Sequence, residues 1–160
     1  MLWWTVPKEL TKNARFAEAV DLRVPLFGQA RQVVERRLAL VGQSGFLFEN
    51  GKGEQYTQHA FSTYIYDLQP YSPKAKRRGS QATDMPVTNW TPHNLRRTGR
   101  TLLAALGCPR DIGEAVVGHM PPAMEATYNV HTYDAERVEW LRRLDAHLAS
   151  LASAGAPARP

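Results

Sequence analysis

The sequence lacks the features that would tie it to a membrane, a metal or an oxidising compartment. It has one cysteine, Cys108, so no disulfide can form within the chain, and a reducing, cytoplasmic setting fits. Set beside Gly107 and Pro109, that cysteine reads as a small buried or capping residue rather than a nucleophile. No apolar run approaches the length of a membrane span, and the opening MLWWTVPKEL lacks the basic-then-apolar order of a signal peptide. No membrane partner is therefore expected. No HExxH, CxxC or His-x-His pattern gathers His93, His119 and His131 into a metal site. Gly42-Gln-Ser-Gly45 and Asn50-Gly-Lys-Gly53 lack the spacing, and the following Lys-Ser/Thr, of a nucleotide-binding loop. The chemistry expected is thus one without metal or cofactor. There is no internal repeat.

What is present is ordinary in amount and uneven in placement. A length of 160 residues suits one domain with a real core, and 43% apolar with 22% charged residues is typical of a globular protein. The net charge of +5 permits nucleic-acid binding without establishing it. Its distribution says more: Lys74, Lys76, Arg77 and Arg78 form one cluster, and Arg96, Arg97 and Arg100 another.

In chain order, Leu2–Val6 and Val20–Leu26 read as strands, the second by strict alternation. Pro7–Ala19 between them reads as a hairpin connection with room for a third strand edge. Gln29–Val41 carries a helical apolar stripe, with Gly42 past its end. Asn50–Gly53 is a turn, and Thr57 can cap a helix in which Phe61, Tyr64, Ile65 and Leu68 share a face. Pro70–Asn89 reads as a long loop whose KAKRR run either contacts phosphate or is simply solvated. Thr91-Pro92 starts a helix that Gly107 stops. Pro109 opens another, with Ile112, Ala115 and Val116 inward, ending at Gly118; Pro121-Pro122 starts a short one that reaches Tyr128. Asp134 caps a last helix with Val138, Leu141, Leu144, Leu148 and Leu151 near one face and Arg137, Glu139, Arg142 and Arg143 mostly outside it. The domain is expected over residues 1–151, with a disordered tail over 152–160.

At about 100° per residue, the helix from Pro92 puts Leu95, Thr98, Leu102 and Leu106 on one side and His93, Arg96 and Arg100 on another. An imidazole and a guanidinium three residues apart can converge on one small anion, the arginine by a bidentate fork and the histidine by a further hydrogen bond. The competing reading is an ordinary solvated face. His119 follows a glycine at a helix end, where a histidine often serves only the helix terminus. Tyr128 follows across a Pro-Pro break, and a tyrosine in a short helix is more often a packing residue than a nucleophile.

Order gives these signals their weight. Thr91-Pro-His93-Asn-Leu-Arg96-Arg97-Thr98, then Leu106-Gly107, then Val117-Gly118-His119, then Tyr128-Asn-Val-His-Thr-Tyr133 resembles the tyrosine recombinase, or phage integrase, family. The likeness is greatest to integrases of prophages and genomic islands, and it covers most of the chain from Trp4 to about Leu148. It implies an α+β fold, mainly helical, with a small antiparallel sheet near the N-terminus. It implies a catalytic domain that cuts and rejoins double-stranded DNA through a 3′-phosphotyrosine, working with other recombinase subunits in a tetrameric synapse on DNA in the bacterial cytoplasm. Carried over residue by residue, Tyr128 is the nucleophile, Arg96 clamps the non-bridging oxygens, His93 is an acid/base partner and His119 donates to the phosphate. Lys12, in the hairpin connection, protonates the leaving 5′-oxygen. Arg97, Arg100, Lys74, Lys76, Arg77 and Arg78 are then DNA contacts. Tyr133 is the rival nucleophile; Tyr128 has the family's spacing from His119.

One departure shapes the expectation. The family carries a further essential arginine ahead of the first hairpin strand, and no arginine precedes Arg15 here. The chain is accordingly expected to be an N-terminally incomplete catalytic domain, weak or inactive in cleavage by itself. Two alternatives stand beside it: a remnant that binds DNA or a partner recombinase without cleaving, and an enzyme like type IB topoisomerases, with the same chemistry and no site specificity. The last helix suits packing in cis or against a neighbouring subunit.

Overall fold

The computed structural model describes residues 1–17, 19–42, 45–74, 87–119 and 131–155. Its class is α+β: a two-stranded antiparallel sheet and, among the described residues, five α-helices. We number them β1 (Leu2–Val6), β2 (Leu22–Leu26), α1 (Gly28–Leu38), α2 (Gln58–Leu68), α3 (Pro92–Ala105), α4 (Arg110–Val116) and α5 (Asp134–Gly155). The chain divides into two compact units, Met1–Val33 with Gly99–Pro160 and Val34–Thr98, the boundary falling within α1 and within α3. None of the described helices is long and apolar enough to cross a membrane.

In the first unit, β1 and β2 pair from Leu2↔Leu26 to Val6↔Leu22. Their aromatic and β-branched residues favour the extended backbone. Pro25, which cannot donate to a ladder, is tolerated because a two-stranded sheet has only edges. Among its described residues the connection holds no third strand. It folds instead as two 3-10 turns, Lys8–Leu10 and Lys12–Arg15. The Lys8 amide donates to Asp21 across its base at 3.0 Å, and the Thr11 hydroxyl donates to the Lys8 carbonyl at 2.8 Å. These local bonds satisfy backbone that a third strand would otherwise have paired.

α5 packs against α4 and β2, and the buried apolar side chains described in this unit include Ala19, Leu26, Leu103, Cys108 and Ala115. Arg137, expected mostly outside the apolar face of α5, is buried. It begins the stripe that continues through Leu141 and Leu144, and its charge is met by Asp134 at 3.2 Å. Burial lowers the pKa of this guanidinium, and the neighbouring carboxylate opposes that shift. Leu148 and Leu151, on the same stripe, are exposed, and α5 runs on to Gly155.

In the second unit, Thr57 caps α2 as expected, accepting from the Ala60 amide at 3.1 Å. Of the anticipated apolar face only Ile65 is buried, while Phe61 and Tyr64 are exposed. Polar groups fill the rest: Gln69 and Ser72 are fully enclosed, with Gln69 accepting from the Asn89 amide and Ser72 donating to the Asp67 carbonyl. Asn50 builds the expected turn, its side chain accepting from the amides of Lys52 and Glu54. α1 ends at Leu38, not Val41, because its last residues tighten into Leu40→Arg37 and Val41→Leu38 bonds.

Candidate active site

α3 carries the first half of the expected constellation. At its start both the amide and the hydroxyl of Thr91 donate to Asn94 Oδ1, at 3.0 and 2.7 Å, one half of a capping box. The side chain at the third helical position thus does the capping, where the sequence suggested the threonine hydroxyl. Asn94 also bridges His93 and Leu95 in sequence, so the cap fixes the turn that bears His93. His93 and Arg96 are exposed, as are Arg97 and Leu95.

The buried residue of α3 is Leu103, only 1% exposed. Of the expected packing face, Leu102 and Leu106 are half-buried, while Leu95 and Thr98 are exposed. Leu103 lies three, seven and ten residues beyond Arg100, Arg96 and His93, all within one stripe of the helix surface. The polar stripe therefore runs into the packing face instead of standing opposite it. Arg100, at the junction, is half-buried and committed: its Nε donates to Glu114 Oε1 at 2.9 Å, and its Nη2 donates to the Arg110 carbonyl at 3.5 Å.

The path to His119 consists of two helix stops of one kind. At the end of α3, Gly107 (φ 86°) donates to Ala104 and Cys108 to Leu103. At the end of α4, Gly118 (φ 72°) donates to Ala115 and His119 to Glu114. Both are Schellman motifs, in which a left-handed residue folds the chain back over the last turn. Cys108, at the reversal after α3, is buried, and burial raises its thiol pKa against the opposing effect of Arg100.

The second reversal brings the His119 ring onto Glu114, with Nδ1 2.6 Å from Oε2. Glu114 thus bridges Arg100 and His119. Its carboxyl is held below the usual carboxylate range, first by the hydrogen bond to His119 and then by that to Arg100. Both ends of the His119 pair remain partly wet, with side chains 42% and 37% exposed. Sequence reasoning passed over Glu114. The available signal was its place five residues before His119 with a left-handed glycine between, since such a stop returns the second residue past the helix to its last turn.

The other expected residues are placed as follows. Lys12 begins the second 3-10 turn of the hairpin connection. Lys74 pairs with Asp67 at 2.5 Å. Tyr133 has a left-handed backbone (φ 55°), and its ring and that of His131 stand edge to face with centroids 4.6 Å apart. His131 in turn pairs with Glu136 at 2.9 Å. Tyr128, Lys76, Arg77 and Arg78, the KAKRR run beyond Lys74, the short helix after Pro121-Pro122 and the end of the tail lie outside the described residues. An open cleft of about 430 Å³ is lined by Lys8, Ala19, Val20, Asp21, Arg23, Thr132 and Asp134. Within it Arg23 is held by Asp134 at 2.8 Å and lies over the Trp3 ring.

No family model, curated protein or solved structure matches this chain.

Proposed function

We propose that the chain is the catalytic domain of a site-specific DNA recombinase of the tyrosine class, acting on double-stranded DNA with other subunits. The observation that carries this reading is the anchoring of His119 at the end of α4, its ring to the Glu114 carboxylate and its amide to the Glu114 carbonyl. A phosphoryl transition state gains negative charge, and donors fixed before the reaction stabilise it without reorganisation. An imidazole with one nitrogen anchored and its side chain partly exposed has the form such a donor needs.

In this reading the Tyr128 hydroxyl oxygen attacks the scissile phosphorus while His93 takes its proton. The bond to the 5′-oxygen breaks, Lys12 protonates that oxygen, and a 3′-phosphotyrosine remains. Arg96 and His119 hold the non-bridging oxygens. The tyrosyl ester keeps the phosphodiester's energy, so religation by the free 5′-hydroxyl needs neither nucleotide nor metal.

The experiment is a trapping assay on nicked duplexes of randomised sequence, from which the cleaved strand end diffuses away. A covalent protein–DNA adduct stable to denaturant is expected, formed slowly and in low yield because no arginine precedes Arg15, with the DNA mapped to Tyr128 by mass spectrometry. Adduct that persists in Tyr128→Phe, or that maps to Tyr133, would refute the assignment. DNA binding that falls steeply with salt and is never followed by an adduct would instead leave a binding role alone.

A further inference from the structure

Glu114 has no part in the reaction as just described, yet His119 is tied to it twice. We infer that Glu114 is a positioning residue that binds the Nδ1–H of His119, so that Nε2 faces the phosphodiester and, once the ring is protonated, Nε2–H is the donor to its oxygen, with Arg100 bracing Glu114 for this task. The inference rests on the reading of His119 as a phosphate ligand.

The geometry carries it in three steps. An ionised carboxylate only accepts, so the hydrogen in the 2.6 Å contact with Oε2 belongs to Nδ1. The other oxygen of Glu114 is taken by Arg100 at 2.9 Å, which fixes the carboxylate plane. The backbone then removes the remaining freedom, since the His119 amide donates to the Glu114 carbonyl at 2.9 Å.

Gly113 explains how Arg100 reaches its place. A Cβ built there would lie 2.8 Å from Cζ of Arg100, so only a residue without a side chain lets the guanidinium lie across α4. The charged and titratable groups around the pair are Arg100 from α3, the two partners themselves, and Cys108, whose thiol feels Arg100. Arg110 meets this group through its carbonyl.

The chemical consequence is specific. With Nδ1 protonated, neutral Nε2 accepts a hydrogen bond; once protonated, Nε2–H donates to a non-bridging oxygen and Glu114 balances the ring's charge. The other tautomer would leave Nδ1 bare against a carboxylate, two acceptors in contact.

The test is ¹⁵N NMR of the His119 ring in the whole chain, at a pH where the imidazole is neutral. Wild type is expected to show a protonated Nδ1 and a bare Nε2. In Glu114→Ala the pattern should move toward the Nε2–H form that unrestrained imidazole prefers. Alanine suits a helix, so the fold should persist. If it does not, Glu114→Gln reports instead: one amide oxygen cannot serve both Arg100 and His119, so a mixture of tautomers is expected. An Nε2–H ring in wild type, or a pattern unchanged in the variants, overturns the inference. In the trapping assay, Glu114→Ala should slow adduct formation by about 10- to 100-fold, the size of loss found when a metal-bound histidine loses its orienting partner. A tautomer that responds to Glu114 in a protein that never forms an adduct would sink the recombinase reading and leave the positioning role standing. Adduct formation with an unresponsive tautomer would do the reverse.

Discussion

Arg137, in the first turn of α5, donates from Nε to the backbone carbonyl of Ala115 at 3.2 Å. That carbonyl also receives the Gly118 amide of the stop that aims His119. A buried guanidinium therefore joins the last helix to the turn on which the candidate site depends. Asp134 completes the arrangement by binding both Arg137 and Arg23, so the same acidic residue links the start of α5 to β2.

Arg137→Ala is expected to destabilise the chain by about 2–3 kcal/mol, since it removes charged hydrogen bonds in a buried setting. Arg137→Met keeps the apolar stem and should cost less. Urea unfolding followed by circular dichroism measures both. A loss in Arg137→Ala within about 0.5 kcal/mol, as for an ordinary surface change, would show that the guanidinium contributes little.

Gly118→Ala should cost about 1–2 kcal/mol, the penalty of a left-handed backbone for a residue with a side chain. The new Cβ would also stand 3.0 Å from Leu22 Cδ2, so β2 must yield a little. Gly118→Asn adds the same contact but tolerates the backbone better. Comparing the two melting temperatures separates strain from crowding: equal losses point to Leu22, and a smaller loss for asparagine points to the backbone.

The pairing of Glu114 predicts a specific loss in acid. Its folded pKa lies below the ordinary 4.5, so its contribution is complete above that pH and disappears as pH falls through the lowered value. Because the pair is partly exposed, the gap between wild type and Glu114→Gln should be about 0.2–1 kcal/mol near neutrality. Chemical unfolding across an acid series should show that gap closing. A gap that persists unchanged at the acid end would mean that the carboxylate's charge is not what stabilises the turn.

Cys108 titrates in the opposite sense. Burial raises its thiol above the usual 9.0, so the unfolded chain ionises first, and stability present below that pH is lost as pH climbs past it. Ellman's reagent should react slowly with the native chain and fast in denaturant. Cys108→Ala should weaken the alkaline decline. Rapid labelling of the native chain at neutral pH would contradict the burial.

Residue periodicity and capping chemistry made the two strands, the starts and stops of α3 and α4, and the cap of α2 legible, because each is fixed within a few residues of chain. The same local rules placed the glycines at 107 and 118 and read Cys108 as a small buried or capping residue. They misjudged which side of α3 is covered, because Leu95 and Leu103 are equally apolar and only the surroundings decide which is enclosed. They also placed Arg137 among the outward residues, since nothing near it in sequence announces that Asp134 and a carbonyl from another helix will meet its charge.

The sequence by itself determined the order of the chemical groups: His93 and Arg96 one turn apart, a glycine before His119, and Tyr128 and Tyr133 beyond. Helical spacing and the left-handed preference of glycine are properties of the backbone, and they can be read without a fold. Only the tertiary structure decided that Arg100 is engaged inward and that Glu114 stands between it and His119. A carboxylate's partners are chosen by which helices pack together, and that depends on burial summed over the whole unit rather than on any short stretch of the chain.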